Sequence, residues 1–467
     1  MINRVQQYIL ANEMILPGER VIVAVSGGPD SMVLLHILHR LSSSLSCELI
    51  AAHLNHQLRP EADDEQSFVE TVCQEWNLPC YSHKVDIAAR AAEQKRNIEE
   101  LGREERYQFF DTLAARLAAD KIATAHHEDD QAETVLMNMI RGTGIKGLRG
   151  ILPVQGKVIR PLLSISKNDI LSYAEENGLA YCTDASNQDP SFLRNRIRHH
   201  LLPSLQKDYN PQMVRSLSNL AHIALHENAW MEEETDRCWL AVLREQQPHM
   251  ISLDLQEVAG LHPALQHRIF LRALSILTGE EGWGWQDVDQ IVDLSSRPGS
   301  SRRLELKKQL RVFKSYDTMI FTTVEPVVQD FCYEIKVPDF IYIEEIKQGF
   351  ELSIINVEAM KPEPGHIYLD YDKLEPPLFI RSRRDGDRFH PVGMQGSKKL
   401  KKLFIDLKIP FLKRDQIPLL TTRKGLVYAV VGYGISRLAM VDKESKRILV
   451  IKPAGVVKNN SSQPLSG

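Results

Sequence analysis

Two stretches of this chain carry residue types suited to chemistry on a phosphate and on an amine. The first is Ser26-Gly27-Gly28-Pro29-Asp30-Ser31. Its glycines permit close backbone approach and unusual φ, Pro29 fixes a turn near a helix start, and Ser26 and Ser31 add hydroxyl donors. Where such a loop opens a helix, unpaired N–H groups and the helix dipole favour an anion, so the loop reads as a phosphate site. Asp30 is the odd member: either it caps the helix, or a bridging Mg2+ reconciles it with phosphates. No Gly-Lys-Ser/Thr follows, and the loop is not G-x-G-x-x-G. The second stretch is His126-His127-Glu128-Asp129-Asp130-Gln131-Ala132-Glu133-Thr134. On a helix, Asp130, Glu133 and Thr134 share one face through i,i+3 and i,i+4 spacing. Two carboxylates there suit a lysine ammonium, and one could take its proton before attack; acids at a helix start also simply offset its dipole. The paired histidines have no third ligand at suitable spacing, which favours a nucleotide contact over zinc.

The elements around these stretches alternate. Residues 20–25 (RVIVAV) form a β-branched run into the first loop, and 32–41 is apolar and helix-like. The same order recurs with strands at 49–54, 81–87 and 121–127 before helices near 63–77, 98–119 and 128–140. This predicts an α/β fold with a doubly wound parallel sheet, whose ligands sit beyond the carboxyl ends of the strands. Segments 26–31, 53–59 and 126–133 all fall there. The expected domains are 1–210 with this sheet, 211–325 mainly helical and closed by a hairpin within 302–323, and 326–377 as a linker or small β subdomain. A small, basic, mixed α/β domain over 378–455 and a disordered tail over 456–467 complete the chain.

Composition narrows the function classes. The chain has 467 residues, 43% apolar and 25% charged, enough for several cores. Its longest apolar candidate, Val427 to Ile435, has nine residues, far short of the ~20 that span a bilayer, so no membrane association is expected. The N-terminus lacks the pattern of a secretory signal, and the expected location is cytoplasmic. Six cysteines without a C-x-x-C pair support neither a zinc ribbon nor a disulfide framework. Net charge is −4, yet residues 380–425 hold thirteen Lys or Arg against four Asp or Glu. In that segment Arg381, Arg383, Arg384, Arg388, Lys398, Lys399, Lys401 and Lys402 alternate with Phe389 and Phe404, a composition that suits an RNA backbone. Arg194, Arg196 and Arg198 make a second compact cluster whose guanidinium forks suit phosphate oxygens. A homodimer is common enough to name as an expectation.

SGGxDS after a first strand resembles the signature of the N-type ATP pyrophosphatases, or PP-loop family. Further motifs resemble the tRNA(Ile)-lysidine synthetases among them: His53-Leu54-Asn55-His56-Gln57-Leu58-Arg59, Asn97-Ile98-Glu99-Glu100 with Arg103 and Arg106-Tyr107, residues 125–134, residues 184–198, and the basic segment from Arg381. The resemblance implies an adenine nucleotide alpha hydrolase-like sheet with the pyrophosphate of ATP on residues 26–31. It implies Mg2+ served by Asp30 and by Asp129 or Asp130, and nucleotide contacts from His53, Asn55 and His126. Arg106 would bind a phosphate or the target base, and Asp130 and Glu133 would hold L-lysine. Asp30, Arg106, Asp130 and Glu133 thus form the implied catalytic set. The implied partner is tRNA(Ile) with a CAU anticodon, gripped by the two basic clusters. Two rivals stand beside it: a tRNA-thiolating PP-loop enzyme, whose paired cysteines are absent here, and a non-catalytic tRNA-binding protein. Gly102 stands where the resemblance implies alanine.

Overall fold

The computed structural model describes residues 1–58, 61–182, 193–279, 282–297, 302–324 and 329–454, without the side chains of Glu99 and Leu412. Arg59, residues 184–192 of the fourth motif, the start of the expected linker at 326 and the expected disordered tail lie outside them. The chain forms two compact units, 1–232 and 233–467.

In the first unit the strands are β1 (Arg20–Ala24), β2 (Glu48–Asn55), β3 (Cys80–Lys84), β4 (Lys121–Ala123), β5 (Val154–Gln155) and β6 (Val158–Ile159). They form one sheet in the order β3-β2-β1-β4-β6-β5, parallel except for the β5–β6 hairpin. The helices are α1 (Ile2–Ala11), α2 (Pro29–Leu45), α3 (Ala62–Glu75), α4 (Ile87–Gln94), α5 (Ile98–Leu117), α6 (Glu128–Ile140), α7 (Ile145–Leu148), α8 (Lys167–Glu176), α9 (Leu193–Arg196), α10 (Leu202–Asp208) and α11 (Met213–Val242). Alternation along β1 divides the core. Val21 and Val23 pack with Leu34, Ile37 and Ile170 on the α2 and α8 side, while Ile22 packs with Ile50, Phe110, Leu113 and Ile122 on the α5 side. Both faces of β1 are therefore dry, as a central parallel strand requires.

The division at 232 falls beyond the expected boundary at 210, and packing explains it. Val214, Leu217 and Ala221 of α11 bury against Ala132, Val135 and Leu136 of α6, so the first turns of that long helix complete the first unit. After the end of α11, the second unit holds a hairpin that the mainly helical reading of 211–325 did not include, β7 (Leu243–Gln247) and β8 (Met250–Asp254). These join β9 (Arg302–Glu305), β10 (Arg311–Ser315) and β11 (Thr318–Thr322) in an antiparallel sheet ordered β7-β8-β11-β10-β9. Two helices, Pro263–Thr278 and Trp285–Ser296, supply Phe270, Leu274 and Ile291 to the core beneath it. The stretch expected as a linker or small β subdomain forms strands that pair with the rest of the C-terminal fold. Gln348–Asn356 pairs along its length with Arg447–Ala454, and Cys332–Ile335 pairs with Leu378–Arg381. Such pairings are non-local and leave little trace in a short window. Among the described residues no helix is long and apolar enough to cross a membrane.

Gly102 lies inside the 20-residue helix α5. A Cβ there would meet the His56 ring at 3.7 Å, an ordinary contact. Gly102→Ala is thus expected to stabilise the chain by about 1 kcal/mol, the helix-propensity difference between the two residues. Chemical denaturation checks this, and an unchanged or lower midpoint would contradict it.

Candidate active site

Parallel pairing sets the carboxyl ends of β1, β2, β4 and β6 on one edge. At β1 the chain turns through Gly27, whose φ of +86° requires glycine. Gly28 is the N-cap of α2 and Pro29 occupies its first turn. The Ser31 hydroxyl accepts from the Ser26 N–H at 3.1 Å and donates to the Gly28 carbonyl at 3.0 Å. With Ser26 Oγ also 3.1 Å from Ser31 Oγ and accepting from the Gly28 N–H at 3.4 Å, the loop is held from within. The Gly27 carbonyl accepts from the Cys182 N–H at 2.9 Å.

Asp30, in the first turn of α2, meets a residue that sequence reasoning missed. Lys167 Nζ lies 2.5 Å from Asp30 Oδ1, although 137 positions separate them. Lys167 stands at the start of α8 behind the N-cap Ser166, whose Oγ accepts from the Asp169 N–H. The capping signal Ser166-x-x-Asp169 was readable, and it would have placed a lysine at a helix start beside the sheet edge. His127, which the sequence offered with His126 as a nucleotide contact, lies among acids instead. Its Nε2 is 3.8 Å from Asp30 and 3.4 Å from Asp130, and its Nδ1 is 3.7 Å from Asp129. Burial alone would lower the His127 pKa, but Asp129, Asp130 and Asp30 together raise it.

At the start of α6, the Asp130 carboxylate accepts from the His127 N–H. Burial would raise the Asp130 pKa; the charges of His127 and Arg194 outweigh it and hold the carboxyl low. Glu133, one turn on, is only 1% exposed. Both acids are gripped by arginines that the sequence assigned to RNA. Arg194 reaches Glu133 and Asp130 at 2.8 Å each, and Arg198 reaches them at 2.5 and 3.0 Å. Arg194 and Arg198, which the sequence offered to phosphates, here supply the counter-charges that buried acids need. The two arginines share a face at i,i+4 spacing, with Arg198 in the π-helical turn Ile197–Leu201. Arg196, two residues along, is exposed and makes no ion pair among the described residues.

The nucleotide-contact residues divide. His53 is buried, its Nδ1 bonded to the Val25 carbonyl at 2.9 Å, while its Nε2 is buried without a partner. Nδ1 must therefore carry the proton, leaving an Nε2 lone pair for a ligand. Burial lowers its pKa. The Asn55 amide donates to Ala62, Asp63 and Gln66, and its carbonyl accepts from Gln57. It staples the β2–α3 loop. His126 bonds Thr124 Oγ1 at 3.0 Å, and burial depresses it to about 4. Arg106 reaches His56 Nε2 at 3.3 Å, and burial likewise depresses His56 to about 4.

A Mg2+ ion normally takes one or two protein carboxylates together with substrate phosphates. Asp30, half-buried at the loop and opposed by one lysine, fits that donor set. Asp130 is committed to two guanidinium groups. Asp129 accepts from the Lys167 N–H at 2.9 Å and borders a separate cavity of about 770 Å3 lined also by Arg4, Glu128 and Arg215. Among the described residues no three His, Cys, Asp or Glu side chains form a metal cluster.

In the second unit Arg381 is a correction. It is 3% exposed and forms a two-pronged ion pair with Asp387 at 2.7 and 2.8 Å. Phe389 and Phe404 belong to the core. Lys398 pairs with Asp406, and Arg388 bonds Ser397. Arg384, Lys399, Lys401 and Lys402 are exposed and keep their charge available to a phosphate backbone.

The PP-loop domain model matches residues 2–205, and the TilS substrate C-terminal domain model matches residues 378–451. A tRNA(Ile)-lysidine synthase of Caldanaerobacter subterraneus is 34% identical over 459 residues, covering 97% of each chain. The chain belongs to the tRNA(Ile)-lysidine synthase family. A Clostridium tetani member is 34% identical with 98% of each chain covered, and a Bacillus subtilis member 33% identical with 92% of each covered. The family relation thus spans both units. The fold expected of it, a PP-loop sheet followed by a helical region and a C-terminal sheet domain, is the fold observed.

Two outcomes follow. Arg381→Ala leaves Asp387 unpaired and should destabilise the second unit by about 3–5 kcal/mol, measured by denaturation, with ATP binding unchanged. His56 and His126 have folded pKa values below the unfolded value near 6.5. The unfolded chain then binds protons first as pH falls, so these groups remove stability from pH 6.5 downward. Thermal melts should drop between pH 6.5 and 5, and His126→Gln should flatten that drop; an equally steep drop in the variant would contradict the assignment. His127 has the opposite sign, its contribution present below 6.5 and lost as pH rises through its raised value.

Proposed function

We propose that the chain ligates L-lysine to C2 of the cytidine at the first anticodon position of tRNA(Ile) bearing CAU, consuming ATP and releasing AMP and pyrophosphate. The observation that carries this reading is the juxtaposition, on one sheet edge, of an anion-binding helix start and a buried acid pair. Family membership over nearly the whole chain supports the same reaction.

The helix start at Gly28 and the hydroxyls of Ser26 and Ser31 receive the pyrophosphate portion of ATP, and His53 Nε2 accepts from the nucleoside. Bound Mg2+ would neutralise phosphate charge, held by Asp30. Lys167, already 2.5 Å from Asp30, is within reach of the same phosphates. It stabilises charge that develops on the departing pyrophosphate. The cytidine O2 attacks the α-phosphate, which turns a poor leaving group into a good one. The lysine amine then attacks C2, and AMP departs with that oxygen.

Asp130 and Glu133 hold the lysine ammonium. Because Arg194 and Arg198 occupy these acids, an incoming ammonium exchanges one cation for another and leaves no buried carboxylate unpaired. Loss of a proton from the ammonium to an adjacent carboxylate produces the nucleophile. The exposed cations of the second unit, Arg384, Lys399, Lys401 and Lys402, hold the RNA backbone. A thiolation reading has no C-x-x-C pair to draw on.

Labelled lysine with ATP, Mg2+ and unmodified tRNA(Ile) tests this. Incorporation into acid-insoluble RNA with equimolar AMP is expected. Asp30→Ala should reduce it by at least about a hundredfold with the fold retained; full activity in that variant, or AMP formation without lysine incorporation, would contradict the reading.

A further inference from the structure

Three arginines of the first unit lie together without a carboxylate. On α5 the neighbouring acids are committed elsewhere, Glu104 to Arg96 at 2.6 Å and Glu105 to Arg90 at 2.5 Å. That leaves Arg103, stacked over the Tyr107 ring at 5.6 Å, and Arg106, bonded to the neutral His56. The third is Arg160, directly after β6. It is 4% exposed, and its two terminal nitrogens donate to neutral acceptors, the Leu152 carbonyl and Gln155 Oε1. Its Nε is buried without a partner. Tyr107 interacts with Arg160, and the charge of Arg103 acts on both Arg106 and Arg160. Among the described residues none of the three has an acid within ion-pair distance. A buried charge without an acid, as at Arg160, is unfavourable unless an anion joins it, and Arg103 and Arg106 add two more positive charges beside it. Guanidinium forks match the paired oxygens of a phosphate.

We propose that Arg103, Arg106 and Arg160, arranged about Tyr107, form a cradle for a backbone phosphate of the RNA beside the target nucleotide, separate from the loop that receives the phosphates of ATP. The proposal rests on the reading of the chain as a tRNA-modifying enzyme. A phosphate could also come from ATP itself. The placement favours RNA, because the triphosphate is served at β1 by the α2 helix start and Lys167. The cradle instead gathers around His126 and His56 at the ends of β4 and β2, with Arg103 and Arg106 open to solvent. It also has no acid comparable to Asp30, as expected for a diester bound without a metal.

The test measures tRNA binding and ATP binding separately on the full chain, for the wild type, Arg160→Lys, Arg160→Gln and Arg103→Gln. Each Gln variant should weaken tRNA binding about tenfold and lower the slope of log K against log salt by about one. Their Kd for ATP should stay within about twofold. Arg160→Lys keeps the charge and loses the fork, so its salt slope should be retained while affinity falls. Arg103 is exposed, so Arg103→Gln gives a readout even if Arg160 variants fold poorly. A tenfold loss of ATP affinity with tRNA binding intact would assign the cradle to ATP and overturn the proposal. No change in either would overturn it as an anion site. Wild-type protein that binds tRNA but ligates no lysine would refute the proposed reaction while leaving the cradle to be judged on the binding data.

Discussion

Parallel register about β1 is the constraint on which the site depends. Because β1 lies between β2 and β4 with both faces buried, strands far apart in sequence must end on one edge. The loop at 26–31, His53, the acids of α6, Arg160 and Lys167 come from four strand ends and are collected by that pairing alone. The Asp30–Lys167 pair then ties the α2 helix start to α8. Helix and loop are thereby held in position before a ligand arrives, which reduces the ordering that binding must supply.

The site is partitioned by charge. Around Asp130 and Glu133 the acids are matched by the guanidinium groups of Arg194 and Arg198. Around Arg103, Arg106 and Arg160 there is no such match among the described residues, and two histidines nearby are held neutral. At Asp30 one acid is shared between a lysine and a histidine. Three environments within one rim suit three different ligand groups: an ammonium, a phosphodiester and a metal-bound polyphosphate. The low local dielectric that makes each pairing strong also makes each unpaired group costly.

Much of this was legible in the sequence. Short β-branched runs before apolar helices identify the parallel sheet, and the strand–Gly-Gly–helix junction identifies the phosphate loop, because both are local signals. The hairpin at 243–254 was not legible: β7 is polar and exposed at a sheet edge, so it lacks alternation. The strands between 332 and 370 pair with residues up to about a hundred positions away, beyond any window. Arg381, Phe389 and Phe404 were misassigned because composition counts a charge or a ring without showing whether it is buried. Asn55's part in stapling the loop was not legible, because a polar residue at a strand end can serve the loop as well as a ligand. Arg194 and Arg198 needed the third dimension, since only the fold brings them onto the acids of α6.

The central claim is that the base is activated through its own oxygen before the amine arrives. The most direct measurement is the fate of that atom. With 18O at O2 of the target cytidine, the AMP released on lysine ligation should carry the label in its phosphate in a one-to-one ratio with lysine incorporated. Unlabelled AMP accompanied by lysine incorporation would contradict adenylation of the base and, with it, the roles given to the two halves of the site.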